Sequence, residues 1–366
     1  MRILQVITSL ITGGAEKLVV DLIFRLRAKG IETDIVLFDG ENTDLKMKLE
    51  KSGCRIYSLS RQRSFYNPLC VLKLIRLMQH YDIVHSHNSS PQLFVMLANM
   101  FCHKIIVTTE HNTHNRKRQR ALLRKIDWWM YSKYDKIICI SDKVEENLRQ
   151  YLSLSATAYK IEIEKVYNGV NISLYHDAKP RHELREGFLG TIIVMVAAFR
   201  QQKDQATLVK AMSFLPRDHY RLWLVGEGET LEKIRSLSKF YNLESSVFFL
   251  GNRNDVPVIL KTADIVVMSS YYEGLSLSSI EGMAAGKPFI ASDVDGLHEI
   301  TQGAGILVPP HNPEALAVAI RKLGEDEDYC DAIARSSYER AKAYDITKTA
   351  EAYGHIYTNL FSAQCS

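Results

Sequence analysis

Short apolar runs alternate with amphipathic stretches along the whole chain, and few folds tolerate that rhythm. An apolar run of this length reads as a strand buried on both faces. The amphipathic stretch after it reads as a helix with one face to cover, so the repeat predicts βα units around a parallel sheet. In the first half, strands are expected near Arg2–Thr8, Thr33–Phe38, Arg55–Leu59, Ile83–Ser86, Ile105–Thr109, Lys136–Ile140 and Ile163–Val166. Helices are expected among them at Ala15–Lys29, Asn67–His80 and Asp142–Tyr151. Asn168-Gly169 then introduces turn chemistry, and Asp177–Glu186 is a polar stretch. A second series follows, with strands near Thr191–Ala198, Arg221–Val225, Val247–Leu250, Ile265–Met268, Phe289–Ala291 and Gly305–Val308, and a closing helix at Asp345–Leu360. A length of 366 residues suits two cores better than one. The expectation is two doubly wound α/β domains with a cleft between them, and no short-period repeat.

Composition excludes several classes. Hydrophobic residues make up 46% and charged residues 24%, an ordinary globular balance. Six cysteines are scattered without metal spacing, which fits a reducing compartment better than a disulfide framework. The opening MRILQVITSLITGGA imitates an export signal, but Gln5, Thr8 and Ser9 interrupt its apolar run, so it reads as a buried first strand. The apolar stretch Gly190–Phe199 is far shorter than the ~20 residues that span a bilayer. A cytoplasmic protein is expected. Charge is unevenly spread: residues 1–180 carry 27 Lys and Arg against 18 Asp and Glu, and the remainder 19 against 24. The first half therefore attracts anions.

Two segments carry candidate chemistry. After the first strand, Thr8-Ser9-Leu10-Ile11-Thr12-Gly13-Gly14-Ala15-Glu16 places glycines before a helix whose positive end suits an anion. It is no dinucleotide fingerprint, and a structural turn explains it as well as a ligand loop does. The second segment, Ala263–Ile300, runs from an apolar strand into Glu273-Gly274-Leu275-Ser276 and then a helix containing Glu281. Free amides at that helix start suit a diphosphate, and carboxylates before and inside the helix suit sugar and ribose hydroxyls. The bland alternative is a turn residue and a solvated helix residue.

With the context E-G-L-S-L-S-S-I-E-G-M-A-A-G-K-P, Glu273-x7-Glu281 resembles the signature of the family-4, GT-B-fold, retaining glycosyltransferases. The resemblance extends along nearly the whole chain. It takes in Gly13-Gly14-Ala15-Glu16, Asp82-Ile83-Val84-His85-Ser86-His87, Glu110-His111, Ile140-Ser141, Asn168-Gly169-Val170, Lys203-Asp204, Leu224-Val225-Gly226-Glu227-Gly228, Gly251 and Gly296-x-x-Glu299-Ile300. It implies two Rossmann-like domains facing across a cleft: an acceptor-side domain at 1–172, with a crossover helix at about 346–366, and a nucleotide-sugar domain at 173–345. It also implies roles. Glu281 would hold the ribose, Glu273 the donor sugar, and backbone from Gly274 through Leu275 and Ser276 to Ser278 the sugar hydroxyls and phosphate. Lys203 would neutralise the diphosphate, His111 would face the sugar, and Gly13 and Gly14 would let the first loop approach. One position departs from the family pattern. An Arg is common five residues before the Lys, where this chain has Ala198, while Arg200 lies three before it. Arg200 is either a displaced phosphate ligand or a surface residue.

Asp293-Val294-Asp295 imitates a manganese motif but falls where the family has a sugar-facing loop, so neither metal nor cofactor is expected beyond the nucleotide-sugar co-substrate. Glu325–Asp328 reads as a solvated helix start. His85 and His87 sit at a strand end, as satisfied core residues or, for His87, a cleft residue. His114–Lys125 holds six Lys and Arg and no acid, and Asn67–His80 mixes Lys73 and Arg76 with leucines. Both fit ordinary amphipathic helices or peripheral attachment to anionic lipid on the inner face of the membrane. Nucleic acid is a poorer partner, with no binding module in view. The expected activity is transfer of a hexose-type sugar from a nucleotide-sugar, UDP-linked by expectation, to a glycan or lipid-linked saccharide. The rivals are a sugar-nucleotide epimerase of similar shape and a non-catalytic sugar-nucleotide-binding partner.

Overall fold

The computed structural model describes residues 1–11, 13–60, 67–111, 121–154 and 161–365. The chain divides into two compact units, Met1–Gly169 with Ile346–Ser366, and Val170–Asp345. The division falls at Gly169 and Val170 rather than at the expected 172 and 173, because the main chain of Val170 already pairs with Tyr344 and Asp345 of the second unit.

The first unit is a seven-stranded parallel sheet of β1 (Arg2–Ile7), β2 (Glu32–Leu37), β3 (Ile56–Ser58), β4 (Ile83–His87), β5 (Ile105–Glu110), β6 (Lys136–Cys139) and β7 (Ile163–Lys165). Its order is β3-β2-β1-β4-β5-β6-β7, so the chain reverses direction of growth between β1 and β4. β1, β4 and β5 are almost wholly buried, as strands covered by helices on both faces must be. The terminal helix, Ile346–Cys365, packs on this unit. Ala350, Tyr353, Ile356 and Tyr357 enter the core formed by Ile3, Leu22, Leu26, Ile83, Val107 and Ile138.

The second unit is a six-stranded parallel sheet of β8 (Thr191–Val196), β9 (Tyr220–Val225), β10 (Val247–Gly251), β11 (Ile265–Met268), β12 (Phe289–Ser292) and β13 (Ile306–Val308). Its order, β10-β9-β8-β11-β12-β13, reverses between β8 and β11. The helix after β11, Leu277–Ala284, is unusually buried from Ser279 to Ala284. Gly282 explains how it lies so near the sheet: a Cβ there would stand 2.5 Å from Val266 Cγ1 in β11. The acidic run behaves as a helix start, with Asp326 accepting the Tyr329 N–H ahead of Glu327–Ala341.

Replacing Gly282 with Ala forces a methyl into that contact and should cost about 1–3 kcal/mol, the range for overpacking. The urea midpoint of the full chain measures this, and an unchanged midpoint would show that the helix can move away freely.

Candidate active site

In a doubly wound sheet the loops leaving the carboxyl ends of the two strands at the reversal diverge, and the crevice between them is where ligands enter. In the second unit those strands are β8 and β11, and their loops carry Lys203 and Glu273. Lys203 Nζ lies 2.6 Å from Glu273 Oε1, and Ser270 Oγ donates to the same oxygen at 2.6 Å. The Glu273 side chain is 7% exposed and that of Lys203 18%. The two loops are also laced through main chain. The Tyr271 N–H donates to Gln202 O at 2.8 Å, and Gln202 Nε2 donates to Tyr272 O at 2.8 Å.

Local chemistry sets the Lys203 position. Asp204 follows it at φ 46°, in the left-handed region that Asp tolerates better than most residues. The Asp204 carboxylate caps the helix Gln205–Met212 by accepting from Thr207 N and Thr207 Oγ1, and it also meets His311 Nδ1 at 3.1 Å. Ser269 Oγ donates to the Asp204 carbonyl at 3.0 Å, so residues on both strand-end loops fix this turn. From behind, the Phe199 N–H donates to the Glu227 carbonyl within the Gly226-Glu227-Gly228 turn.

The Glu273 main chain is braced from a third loop. Its N–H donates to Asp295 O at 3.1 Å. Gly296 next door has φ 78°, and a Cβ there would meet the carbonyls of Glu273 and Gly274 at 2.6 and 2.7 Å. The Asp-Val-Asp segment thus supports the Glu273 loop, and Asp293 is engaged by His298 Nδ1 at 2.5 Å. Beyond the pair, Gly274, Leu275 and Ser276 lead into Leu277–Ala284, with Ser276 at the cap position. The Ser276 hydroxyl bonds Ser279 Oγ and caps no main-chain N–H. Glu281 sits inside the helix and is 6% exposed. Arg200 does not join the cluster. It is exposed, ahead of the 3-10 turn Gln201–Lys203, and makes no ion pair among the described residues.

In the first unit, Gly13 precedes the helix Gly14–Ala28 at the carboxyl end of β1, and its carbonyl accepts from Lys17 N. Thr12 lies outside the described residues, as does most of the basic stretch His114–Lys125. His111 follows β5 and is held by a partner the sequence left open. His87 lies within β4, which extends one residue beyond expectation, so His85 and His87 share a face and stack at 4.3 Å between ring centroids. His87 Nδ1 meets His111 Nε2 at 3.1 Å, and His87 Nε2 meets Gln5 Oε1 at 2.8 Å. Gln5 Nε2 donates to Tyr357 Oη at 3.2 Å, which lies 2.5 Å from His85 Nδ1. His85 Nε2 reaches Thr109 Oγ1 at 2.8 Å, and Thr109 reaches Tyr353 Oη at 3.0 Å. Burial holds His85 and His87 well below the ordinary imidazole value, and lowers His111 to about 4. The partners Ser270, Gln202, Gln5 and Tyr357 escaped the reading of the sequence. Gln5 and Tyr357 are far apart in the chain, but a glutamine inside the apolar strand RILQVI was a visible anomaly.

Two doubly wound parallel sheets in one chain, each offering loops at its reversal point, form the architecture of the GT-B glycosyltransferases. The chain belongs to the family-4-like members of that fold. The family model Glycosyltransferase Family 4 matches residues 12–174, and Glycosyl transferases group 1 matches residues 183–340. One relative is the UDP-Gal:alpha-D-GlcNAc-diphosphoundecaprenol alpha-1,3-galactosyltransferase of Escherichia coli, 24% identical over 326 residues, covering 80% of this chain and 82% of that enzyme. Another is the N-acetylgalactosamine-N,N'-diacetylbacillosaminyl-diphospho-undecaprenol 4-alpha-N-acetylgalactosaminyltransferase of Campylobacter jejuni. It is 27% identical, with 94% of this chain and 96% of that enzyme covered. Anabaena HepE, crystallised with UDP-glucose, superposes with a TM-score of 0.85 at 21% identity, over 98% of this chain and 100% of its own.

The lowered histidines carry a consequence for stability. The unfolded chain takes up protons near 6.5, whereas in the folded unit His111 resists until about 4 and His85 and His87 are likewise held well below 6.5. The unfolded state therefore binds more protons between these values, and the contribution to stability, full above 6.5, is lost as pH falls toward 4. Thermal melts across this interval should show the loss, with the three imidazole C–H resonances followed in parallel. Signals that titrate near 6.5 would contradict it.

Proposed function

We propose that the protein transfers a hexose-type sugar from a UDP-sugar to a lipid-linked saccharide or related glycan, with retention and without a metal, in the synthesis of cell-surface polysaccharide or glycolipid. The observation that carries this reading is the Lys203–Glu273 pair at the reversal point of the second sheet, directly before the helix that holds Glu281. Further support comes from what the Escherichia coli and Campylobacter jejuni relatives are named for and from the UDP-glucose bound to HepE.

In this reading Glu281 accepts from the ribose hydroxyls and Glu273 from the donor sugar. Main-chain N–H groups of Gly274, Leu275 and Ser276 meet sugar hydroxyls and phosphate at the helix start. Lys203 exchanges part of its contact with Glu273 for the diphosphate, and the exposed guanidinium of Arg200 is free to swing toward the same group. His111, Gly13 and Gly14 are the first unit's contributions. As the sugar–phosphate bond breaks, negative charge grows on the departing diphosphate and positive charge on the sugar ring. Fixed cations and helix N–H groups stabilise that change more than they stabilise the ground state.

A panel of UDP-sugars, assayed for binding and slow hydrolysis and then with undecaprenyl-diphosphate-linked sugars, tests the reading. Glu281→Ala should mainly weaken UDP binding. Glu273→Ala and Lys203→Ala should lower turnover by roughly 10²–10³, as loss of a preorganised charge-stabilising group does elsewhere. Unchanged kinetics in all three variants would remove the site assignment. Conversion of a UDP-sugar to its epimer without acceptor would make the protein an epimerase, and binding without turnover would make it a non-catalytic partner.

Attachment to anionic lipid belongs to the same proposal. The helix Leu69–Met78 exposes Leu69 and Leu72 beside Lys73 and Arg76, and the adjoining helix Ser89–Cys102 exposes Met100 and Phe101. Cys102 Sγ meets Ile75 O at 3.5 Å, so the two helices are neighbours. Among the described residues no helix is long and apolar enough to cross a membrane. The full chain should float with anionic liposomes at low salt, at about 1 kcal/mol per basic residue near the surface, and Leu72→Glu with Phe101→Ser should release it. Failure of the unaltered chain to bind would end this part of the proposal.

A further inference from the structure

Resting on the reading of His111 as a sugar-facing group, we propose that His87 is a positioning residue that fixes the proton of His111 on Nε2 and leaves Nδ1 as the acceptor offered to the donor sugar.

Hydrogen-bond polarity is fixed along the buried chain of contacts from Tyr357 to His111. The Gln5 amide has one donor end and one acceptor end, and its Nε2 donates to Tyr357 Oη. Gln5 Oε1 can only accept, so His87 Nε2, 2.8 Å away, must carry a proton. His87 is wholly buried and lies beside His85 and His111, so it is neutral and its Nδ1 bears a lone pair. The nitrogen 3.1 Å from that lone pair, His111 Nε2, must therefore be the donor. His111 is likewise neutral, and its remaining nitrogen, Nδ1, is an acceptor. The hydrogen bond on one ring nitrogen decides the state of the other.

The other arm of the chain locks the same polarity. Tyr357 Oη accepts from Gln5, so its own proton is directed to His85 Nδ1 at 2.5 Å. His85 then carries its proton on Nε2, aimed at Thr109 Oγ1 at 2.8 Å. Turning the Gln5 amide over would reverse these assignments together, so one amide sets the tautomers of three histidines. An acceptor at His111 Nδ1 selects a hydroxyl donor. That is the chemistry of a sugar with a free hydroxyl at the carbon facing this ring.

The test uses the full chain in two ways. First, with 15N-labelled histidine and no ligand, the His111 resonance, assigned by its loss in His111→Ala, should be that of the Nε2–H tautomer. The Nδ1–H or doubly protonated form at neutral pH would overturn the proposal. Second, hydrolysis of UDP-glucose, UDP-galactose and UDP-N-acetylgalactosamine is measured for variants. His87→Gln keeps a partner for Gln5 but withdraws the one for His111. It should lower kcat roughly five- to tenfold, the worth of one hydrogen bond, with KM and UDP affinity little changed. His87→Asn sets an amide oxygen near the former Nδ1 and should recover most of that loss. In a His111→Ala background neither substitution should cost anything more. Losses that add to that of His111→Ala would overturn the positioning role alone. A His111→Ala enzyme as fast as the original would overturn the sugar-facing reading and this inference with it. Should His87 variants fail to fold, Tyr357→Phe removes the far anchor of Gln5 and must give a mixture of His111 tautomers. An unaltered spectrum there counts against the proposal.

Discussion

A carboxylate as deeply placed as Glu273 needs partners close at hand, and the way it obtains them ties the second unit together at its reversal point. One oxygen receives both Lys203 Nζ, from the loop after β8, and Ser270 Oγ, from the loop after β11. Leaving such a charge buried and unpaired typically costs about 3–5 kcal/mol. The contact therefore does more than place two charged groups: it holds two diverging loops at a set distance. Asp204, Gln202 and Asp295 add main-chain bonds around it, and each comes from a segment whose course depends on a neighbouring strand. In the proposed reading, an incoming diphosphate would meet a cation already held in place by this internal carboxylate.

Much of this organisation was legible in the sequence because period and punctuation carry it. The strands expected from apolar runs are all present, and β11 has the expected limits, Ile265–Met268. Both sheets are parallel, as alternating strands and helices require. The strand–loop–helix order around Glu273 and Glu281 could be read because glycine and serine stand at fixed offsets from an apolar strand. Long-range partners were not legible. Nothing local in Gln202 announces that its amide will reach Tyr272, and nothing local in Asp295 shows that its carbonyl will take the Glu273 N–H. The Asp-Val-Asp spelling only imitates a metal motif and was expected in a loop; that its main chain braces Glu273 and that His298 holds Asp293 could not be read from it. Arg200 shows the reverse case. Its place in the sequence invites a role beside Lys203, but an intervening turn leaves it exposed.

The first unit shows how a departure from pattern can itself be informative. Strands buried on both faces are expected to be apolar throughout, yet β1 carries Gln5 and β4 carries His85 and His87, each with no exposed surface. Burying such groups is unfavourable unless each polar atom finds a partner. Here each does, and the last partners, Tyr353 and Tyr357, come from the terminal helix Ile346–Cys365. That helix is thus fixed to the sheet by hydroxyl groups at set points as well as by apolar packing, and polar contacts are directional where apolar ones are not. An apolar core of the same volume would hold the helix equally well and tolerate small slips. A line of matched donors and acceptors tolerates none without leaving a buried group unpaired. The line ends at His111, the one member only partly buried, so the register of the terminal helix and the orientation of that ring are set by the same bonds.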